Sequence, residues 1–279
     1  MIALVLGWVV GCAHTPPATP PAEDPPPPEV VAPGPAWPNP GAIVRALPAP
    51  APVDGAPRVR LLVDPGHGAE GNTGNQSCLG ELEQDVTLRH AQRLVAALER
   101  TERFELRTTR QPGELVDYPS RVVAADSWPA DVFISLHTDA RAGDGVVVAG
   151  PHLCITGAHG FSVLWSDEVP DDATPTLAAD RLFLARRIAT ELLAAGFPAY
   201  DGSSYGDLYA ADAVVPGVFV DRHSPSQRIR VLRRPHVPSV IIETHHAKDP
   251  EEPLRWEEDA THAAFAAALV RALSPSPPP

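Results

Sequence analysis

The sequence predicts an α/β domain: a single open, twisted, mostly parallel sheet with helices on both faces, preceded by a disordered Pro-rich segment. Three observations carry this expectation. Short β-branched runs alternate with stretches of helical periodicity through residues 59–273, the pattern of a sheet whose strands are joined by helical crossovers. The chain has 279 residues, 44% of them hydrophobic, enough for one core of about 200 residues plus appendages. Of its 34 prolines, sixteen fall between Ala13 and Arg58 and four more follow Leu273, so the folded unit is shorter than the chain.

Val59, Leu61, Leu62 and Val63 make a β-rich run that stops at Asp64-Pro65-Gly66, turn chemistry at the end of a buried strand. After a polar loop, Leu88, Ala91, Val95 and Leu98 recur at helical spacing and Leu94 widens the stripe, so an amphipathic helix is expected from Gln84 to Glu99. Phe104–Thr108 reads as a strand, Tyr118–Asp126 as a short helix, and Asp131–Leu136 as a strand that runs into His137. Phe161–Trp165 is a further strand. Ala178, Leu182, Ala185, Ala189 and Leu192 mark a helix that stops at Gly196-Phe197-Pro198. Ile229–Leu232 and Val240–Ile242 are expected as two more strands, and Trp256, Ala260, Ala263, Ala267 and Val270 mark a closing helix. The stretch Ala199–Ser226, rich in Gly, Asp, Tyr and Ser, reads as a long loop over a cleft or as a decorated surface.

Asp and Glu outnumber Lys and Arg 35 to 22, and the net charge of −13 argues against a nucleic-acid partner. No apolar run approaches the ~20 residues that a membrane-spanning helix needs. Residues 1–12 read as an export signal, because Ile2–Val10 is a short apolar stretch ending at Gly11-Cys12. Val9-Val10-Gly11-Cys12 resembles the lipobox of bacterial lipoproteins, which implies a lipid anchor on Cys12; Ala13 after it fits delivery to the outer membrane, facing the periplasm. The basic start usual in such signals is missing, which leaves a clipped start or a buried N-terminal strand as the alternative. Residues 13–58, dominated by Pro, Ala and Glu with Pro25-Pro26-Pro27-Pro28 at the centre, read as a disordered linker. At ~3.1 Å per residue its reach is at most ~140 Å. Residues 274–279 read as a disordered Pro-rich tail.

Three expected strands finish in residues suited to metal or acid–base chemistry: His67 after the first, His137 after the third, and Glu243 after Val240-Ile241-Ile242. In open α/β sheets, groups distant in sequence meet outside the carboxyl ends of the strands. Glu83, at the start of the first long helix, can fold back over the same edge. Two neutral imidazoles and a carboxylate leave a fourth zinc position for water, the arrangement of a catalytic site. Each residue also has a plainer reading: His67 as a turn cap, His137 as a satisfied core histidine, Glu83 as a partner of the helix dipole. Glu243 is harder to dismiss, because a carboxylate ending so apolar a strand needs a partner.

These segments together resemble the zinc-dependent N-acetylmuramoyl-L-alanine amidases of the Amidase_3 type. The resemblance lies in Val63-Asp64-Pro65-Gly66-His67-Gly68, Glu83-Gln84-Asp85-Val86-Thr87-Leu88, the polar signals Thr109-Arg110 and Ser120-Arg121, Phe133-Ile134-Ser135-Leu136-His137-Thr138-Asp139-Ala140, and Val237-Pro238-Ser239-Val240-Ile241-Ile242-Glu243-Thr244. It covers Val59 to Leu273 and implies His67, Glu83 and His137 as zinc ligands with Glu243 catalytic. The implied reaction cleaves the amide between N-acetylmuramic acid and L-alanine in peptidoglycan. Asp64 is expected to hold the loop of the first histidine or to serve the turn alone.

Departures remain. His245-His246 follow Glu243-Thr244 where the family continues with a small residue and an aromatic; of the roles open to them, a surface position is favoured. Glu81 competes with Glu83 as ligand, and Gly71-Asn72-Thr73-Gly74-Asn75 is expected to line the cleft. Cys78 and Cys154 either form a disulfide or stay apart, since spacing alone cannot bring their Cα atoms together. Competing functions are a catalytically silent peptidoglycan-binding lipoprotein and a zinc peptidase cutting within the stem peptide; a regulatory protein at the cleft is compatible with the sequence but leaves no mark in it.

Overall fold

The computed structural model describes residues 35–39, 42–52 and 55–274. The expected signal peptide with Cys12, the first part of the linker and the tail from Pro275 lie outside them. The main sheet has seven strands: β1 (Val59–Pro65), β2 (Phe104–Thr108), β3 (Val132–Asp139), β6 (Ser162–Trp165), β7 (Tyr209–Ala211), β8 (Val218–Asp221) and β9 (Ser239–His246). Their order is β2-β1-β3-β9-β6-β8-β7. The β2-β1-β3-β9 half is parallel throughout, β6 joins β9 antiparallel, and β8 runs parallel to β6 with β7 antiparallel at the edge. A separate hairpin of β4 (Gly145–Ala149) and β5 (His152–Thr156) stands apart from this sheet.

The two faces follow from the side-chain period of two. Leu61, Val63, Ile134, Leu136, Val240 and Ile242 face α1 (Glu83–Glu99), α3 (Leu177–Ala195) and α6 (Asp259–Leu273) in the larger core. Leu62, Phe133, Ile241, Leu164 and Phe219 face α2 (Tyr118–Ser127) and α4 (Arg230–Arg233). Fully burying each such aliphatic or aromatic side chain stabilises the fold by about 1.5–3 kcal/mol. Helix α3 ends where expected, at Gly196, whose φ of 96° is the left-handed closure that glycine accommodates. The short α5 (Glu252–Trp256) completes the first helical layer.

Several expectations are corrected. Ile229–Leu232 is not a strand: the Ile229 amide donates to Asp221 Oδ2 at 2.8 Å and Leu232 and Arg233 bond back to the Ile229 carbonyl, so the run closes into the helical turn α4. So short an apolar run carries no period that separates strand from helix. Ala199–Ser226 is not one long loop, since it supplies β7 and β8 to the sheet. The strands of His137 and Glu243 also run further than expected, so both residues sit inside β3 and β9, paired in register.

The described part of the stretch expected as linker lies along the domain. Trp37 packs on Phe197, with ring centroids 5.7 Å apart. The Arg45 amide donates to the Ala195 carbonyl at 2.8 Å, Arg271 Nη1 donates to the Pro48 carbonyl at 3.0 Å, and Arg255 and Arg103 donate to the carbonyls of Ala42 and Pro50. The carbonyls of Ala42, Pro48 and Pro50 have no secondary-structure partner of their own, and arginines from α5, α6 and the turn before β2 satisfy them. Cys78 and Cys154 form a disulfide with Cα atoms 5.0 Å apart, which ties the loop before α1 to the β4–β5 hairpin.

Candidate metal centre

The site is assembled at the carboxyl ends of β1 and β3 and the first residue of α1. His67 follows β1 in a turn with φ 59°. Two buried arginines hold that turn by its carbonyls: Arg110 Nε donates to Pro65 at 3.0 Å and Nη2 to Gly66 at 3.1 Å, while Arg121 donates to Pro65 and His67. Arg121 is itself neutralised by Asp64 at 2.6 Å, and Asp64 also accepts from Ser135 at 2.6 Å and from Thr109. Asp64 therefore acts on the histidine loop through Arg121, a fully desolvated pair whose remaining donors are all satisfied nearby.

Asn72 orients His67. Its Oδ1 lies 2.7 Å from His67 Nδ1 and accepts from the Gly74 amide at 3.1 Å, and its Nδ2 donates to Tyr118. An oxygen at Nδ1 places a ring proton there and makes Nε2 the nitrogen turned toward the cluster. That Nε2 is 3.1 Å from Glu83 Oε2. The other Glu83 oxygen, Oε1, lies 3.1 Å from His137 Nδ1 and accepts from the Thr138 amide at 3.0 Å. Asn75 donates twice to Oε2, from its amide at 3.0 Å and from Nδ2 at 2.8 Å. The backbone must come close for this: a Cβ on Gly74 would lie 2.5 Å from Glu83 Oε2, and one on Gly66 would overlap the His137 ring.

One ligand atom from each of His67, Glu83 and His137 lies within 4.8 Å of the others. Burial acts to raise the Glu83 carboxyl, but hydrogen bonds from His137 and His67 outweigh it and hold the group well below the usual carboxylate range. Burial opposes protonation of His67, and its contact with Glu83 overcomes that and raises it. Two imidazoles with one carboxylate, His67 backed by Asn72 and Glu83 by Asn75, suit zinc and leave positions for water and substrate.

Glu243 sits directly across the ladder from His137. Its Oε2 is buried without a hydrogen-bond partner. Burial, then the nearby Asp139 and Glu83 carboxylates, push its carboxyl well above the ordinary range, with Arg141 offsetting part of the effect. Arg141 is buried and donates to Asp139 Oδ2 at 3.0 Å, to the carbonyls of Ala158 and Gly160, and to Ser162. Tyr205, from the stretch read as loop, donates to the same Asp139 oxygen at 2.6 Å.

The structure thus brings all four expected residues to one edge. Glu81 is excluded from the cluster and pairs with Arg89. His245 and His246 are not at the surface: both are buried, His245 stacked on Trp256 at 5.6 Å and the His246 amide bonded to Glu252 at 2.7 Å. Burial holds them neutral, pushing His245 down to about 3 and His246 to about 4. The sequence places Asn72 and Asn75 at the cleft without their roles, and it gives no sign of Arg141 and Tyr205, whose contacts with Gly160 and Asp139 run across 19 and 66 positions of chain.

An open α/β sheet that gathers two imidazoles and a carboxylate at its strand ends is the architecture of a metal-dependent hydrolase. Residues 61–275 match the Amidase_3 model, described as N-acetylmuramoyl-L-alanine amidase, and the chain belongs to that family. It is 34% identical over 80 residues to the N-acetylmuramoyl-L-alanine amidase AmiC of Escherichia coli, a match spanning 29% of this chain and 19% of that relative. Against AmiA of Salmonella typhimurium the identity is 24% over 217 residues, covering 76% of this chain and 74% of the relative. The fold resembles an N-acetylmuramoyl-L-alanine amidase from Clostridium difficile 630, with a TM-score of 0.55, 18% identity, and coverage of 78% of this chain and 96% of that one.

Proposed function

We propose that this chain is a zinc-dependent N-acetylmuramoyl-L-alanine amidase that hydrolyses the amide between N-acetylmuramic acid and L-alanine in peptidoglycan, in cell-wall remodelling or cell separation. The observation that carries the reading is the convergence of His67, Glu83 and His137 within 4.8 Å beside an unpartnered Glu243 oxygen. Bound zinc supplies a Lewis acid for the amide carbonyl and a water of lowered pKa. His67 through Nε2, Glu83 and His137 through Nδ1 would hold the ion. Glu243 takes the proton of the attacking water and returns it to the departing amine nitrogen, a task suited to a carboxylate beside the cluster whose Oε2 has no other hydrogen-bond partner. Asn72 and Asn75 keep the ligand atoms aimed.

The export reading is part of the same proposal. The Cys78–Cys154 disulfide supports an oxidising compartment, and the lipobox-like Val9-Val10-Gly11-Cys12 supports a lipid anchor that keeps the enzyme at the outer membrane, facing the wall. Labelling with a radioactive fatty acid should mark the wild-type chain and not Cys12→Ser.

The test of the activity is digestion of purified sacculi, with mass spectrometry of the soluble products. Intact stem peptides with a free L-alanine amino terminus are expected, lost with a chelator and restored by zinc. Fragments cut within the stem, or tight sacculus binding without release, would overturn the reading.

A further inference from the structure

Trp37 lies outside the matched family region and far from the metal cluster in sequence, yet two independent routes join it to β9. The first is polar. Trp37 Nε1 donates to Glu252 Oε1 at 2.7 Å. Glu252 is fully buried, and its carboxylate also accepts from the Gly160 amide at 2.8 Å and, through Oε2, from the His246 amide at 2.7 Å. Gly160 immediately precedes Phe161 and β6, and His246 ends β9, so one carboxylate clasps the two strands next to the antiparallel pairing of Ser162 with Glu243. The second route is aromatic. Trp37 packs on Phe197 at 5.7 Å, Phe197 stacks on Trp256 at 5.5 Å, and Trp256 stacks on His245 at 5.6 Å. Arg255 lies over the Trp37 ring, 5.2 Å from its centroid.

We propose that Trp37 is a positioning residue for Glu243: through Glu252 it holds the Gly160 and His246 amides, and with them the β6–β9 pairing in which Glu243 is set. This rests on the catalytic role given to Glu243 above. A buried carboxylate with three N–H donors has its charge distributed and its strands pinned; removing one donor leaves the oxygen underbonded in a place water does not easily reach. The clasp then loosens where the general base sits. Its energetic route does not pass through the metal ligands, so ion binding is left intact.

The experiment uses the full chain as wild type, Trp37→Phe, Glu252→Gln and the double variant. Phenylalanine keeps the ring on Phe197 and removes only the N–H; glutamine turns an acceptor into a second donor facing the same groups. With a soluble muropeptide, Trp37→Phe is expected to lower kcat about 10-fold, with KM and zinc content within about twofold of wild type. Independently of turnover, amide hydrogen exchange at Gly160 and His246 should accelerate about 10-fold while the β1–β2 ladder is unchanged. The double variant should lose no more than the worse single one, because both changes open the same clasp. Wild-type exchange at both amides in Trp37→Phe, or accelerated exchange with unchanged kcat, overturns the proposal. A wild-type protein that releases no stem peptide sinks the amidase reading instead, and the exchange comparison still decides whether Trp37 closes the clasp.

Discussion

The carboxylate of Glu83 is shared between two imidazoles, with Oε2 3.1 Å from His67 Nε2 and Oε1 3.1 Å from His137 Nδ1. Neither oxygen is free to rotate away, because Asn75 donates to one and the Thr138 amide to the other. The three donor groups are therefore held by the protein's own hydrogen bonds, and the consequences can be measured.

Asn75→Ala removes the side-chain donor to Glu83 and the bond to the Thr138 carbonyl while sparing every ligand atom. Loss of such an outer partner weakens metal binding by roughly 10–100-fold. Competition with a chromophoric zinc chelator measures this, and unchanged affinity would show that Asn75 serves the loop alone.

Glu243→Gln is isosteric and keeps the β3–β9 register. Removing a general base costs about 10²–10⁴ in kcat. Zinc content, read by atomic emission, should stay stoichiometric. A variant retaining wild-type turnover would remove Glu243 from the mechanism.

Acid should unfold the protein through its buried histidines. Burial pushes His245 to about 3 and His262 to about 4, and holds His90 well below its ordinary value. These folded-state values lie below the unfolded ~6.5, so the unfolded chain binds more protons between them. Stability is then complete above about pH 6.5 and falls as pH drops toward 4, by up to about 1.4 kcal/mol per pH unit for each histidine. Thermal melts of the metal-free protein from pH 7 to 4 test this, and His262→Phe should flatten the slope; an identical slope in that variant would count against it.

Asp64→Ala leaves the Arg121 guanidinium buried without its countercharge. Breaking one partner of a buried pair costs about 3–5 kcal/mol. Arg121 also donates to the Val116 carbonyl, from Nε at 3.1 Å and Nη2 at 2.8 Å. Urea unfolding of the metal-free protein should show a drop of that order with an unchanged m-value, whereas a loss under about 1 kcal/mol would mean that the carbonyls of Pro65, His67 and Val116 suffice to hold Arg121.

Much of the site was legible because its parts obey local rules. Asp64-Pro65-Gly66-His67 ends a strand, Glu83 begins a helix with an apolar stripe behind it, and His137 and Glu243 follow the apolar runs Val132–Leu136 and Val240–Ile242. What escaped was set by contacts with no local signature. The 199–226 stretch carries glycines and aspartates throughout, so β7 and β8 hide among turn residues and show their strand character only when β6 offers an edge. The proline-rich composition of 35–52 forbids regular structure but not docking, and arginines of α6 and its neighbours supply the donors.

The order of β-runs, helical stripes and turn residues along the chain was sufficient for the fold class and for the strand ends where chemistry gathers, since each depends on periodicity within a short window; the four polar residues there were singled out by their places after those runs together with the resemblance of the surrounding segments to one family. Tertiary structure alone decided that Cys78 meets Cys154, that His245 and His246 are buried and neutral, and that Trp37 reaches Glu252 across 215 positions. The physical reason is that desolvation and hydrogen-bond satisfaction belong to the packed ensemble of neighbours, and no residue carries its neighbours in its own letter.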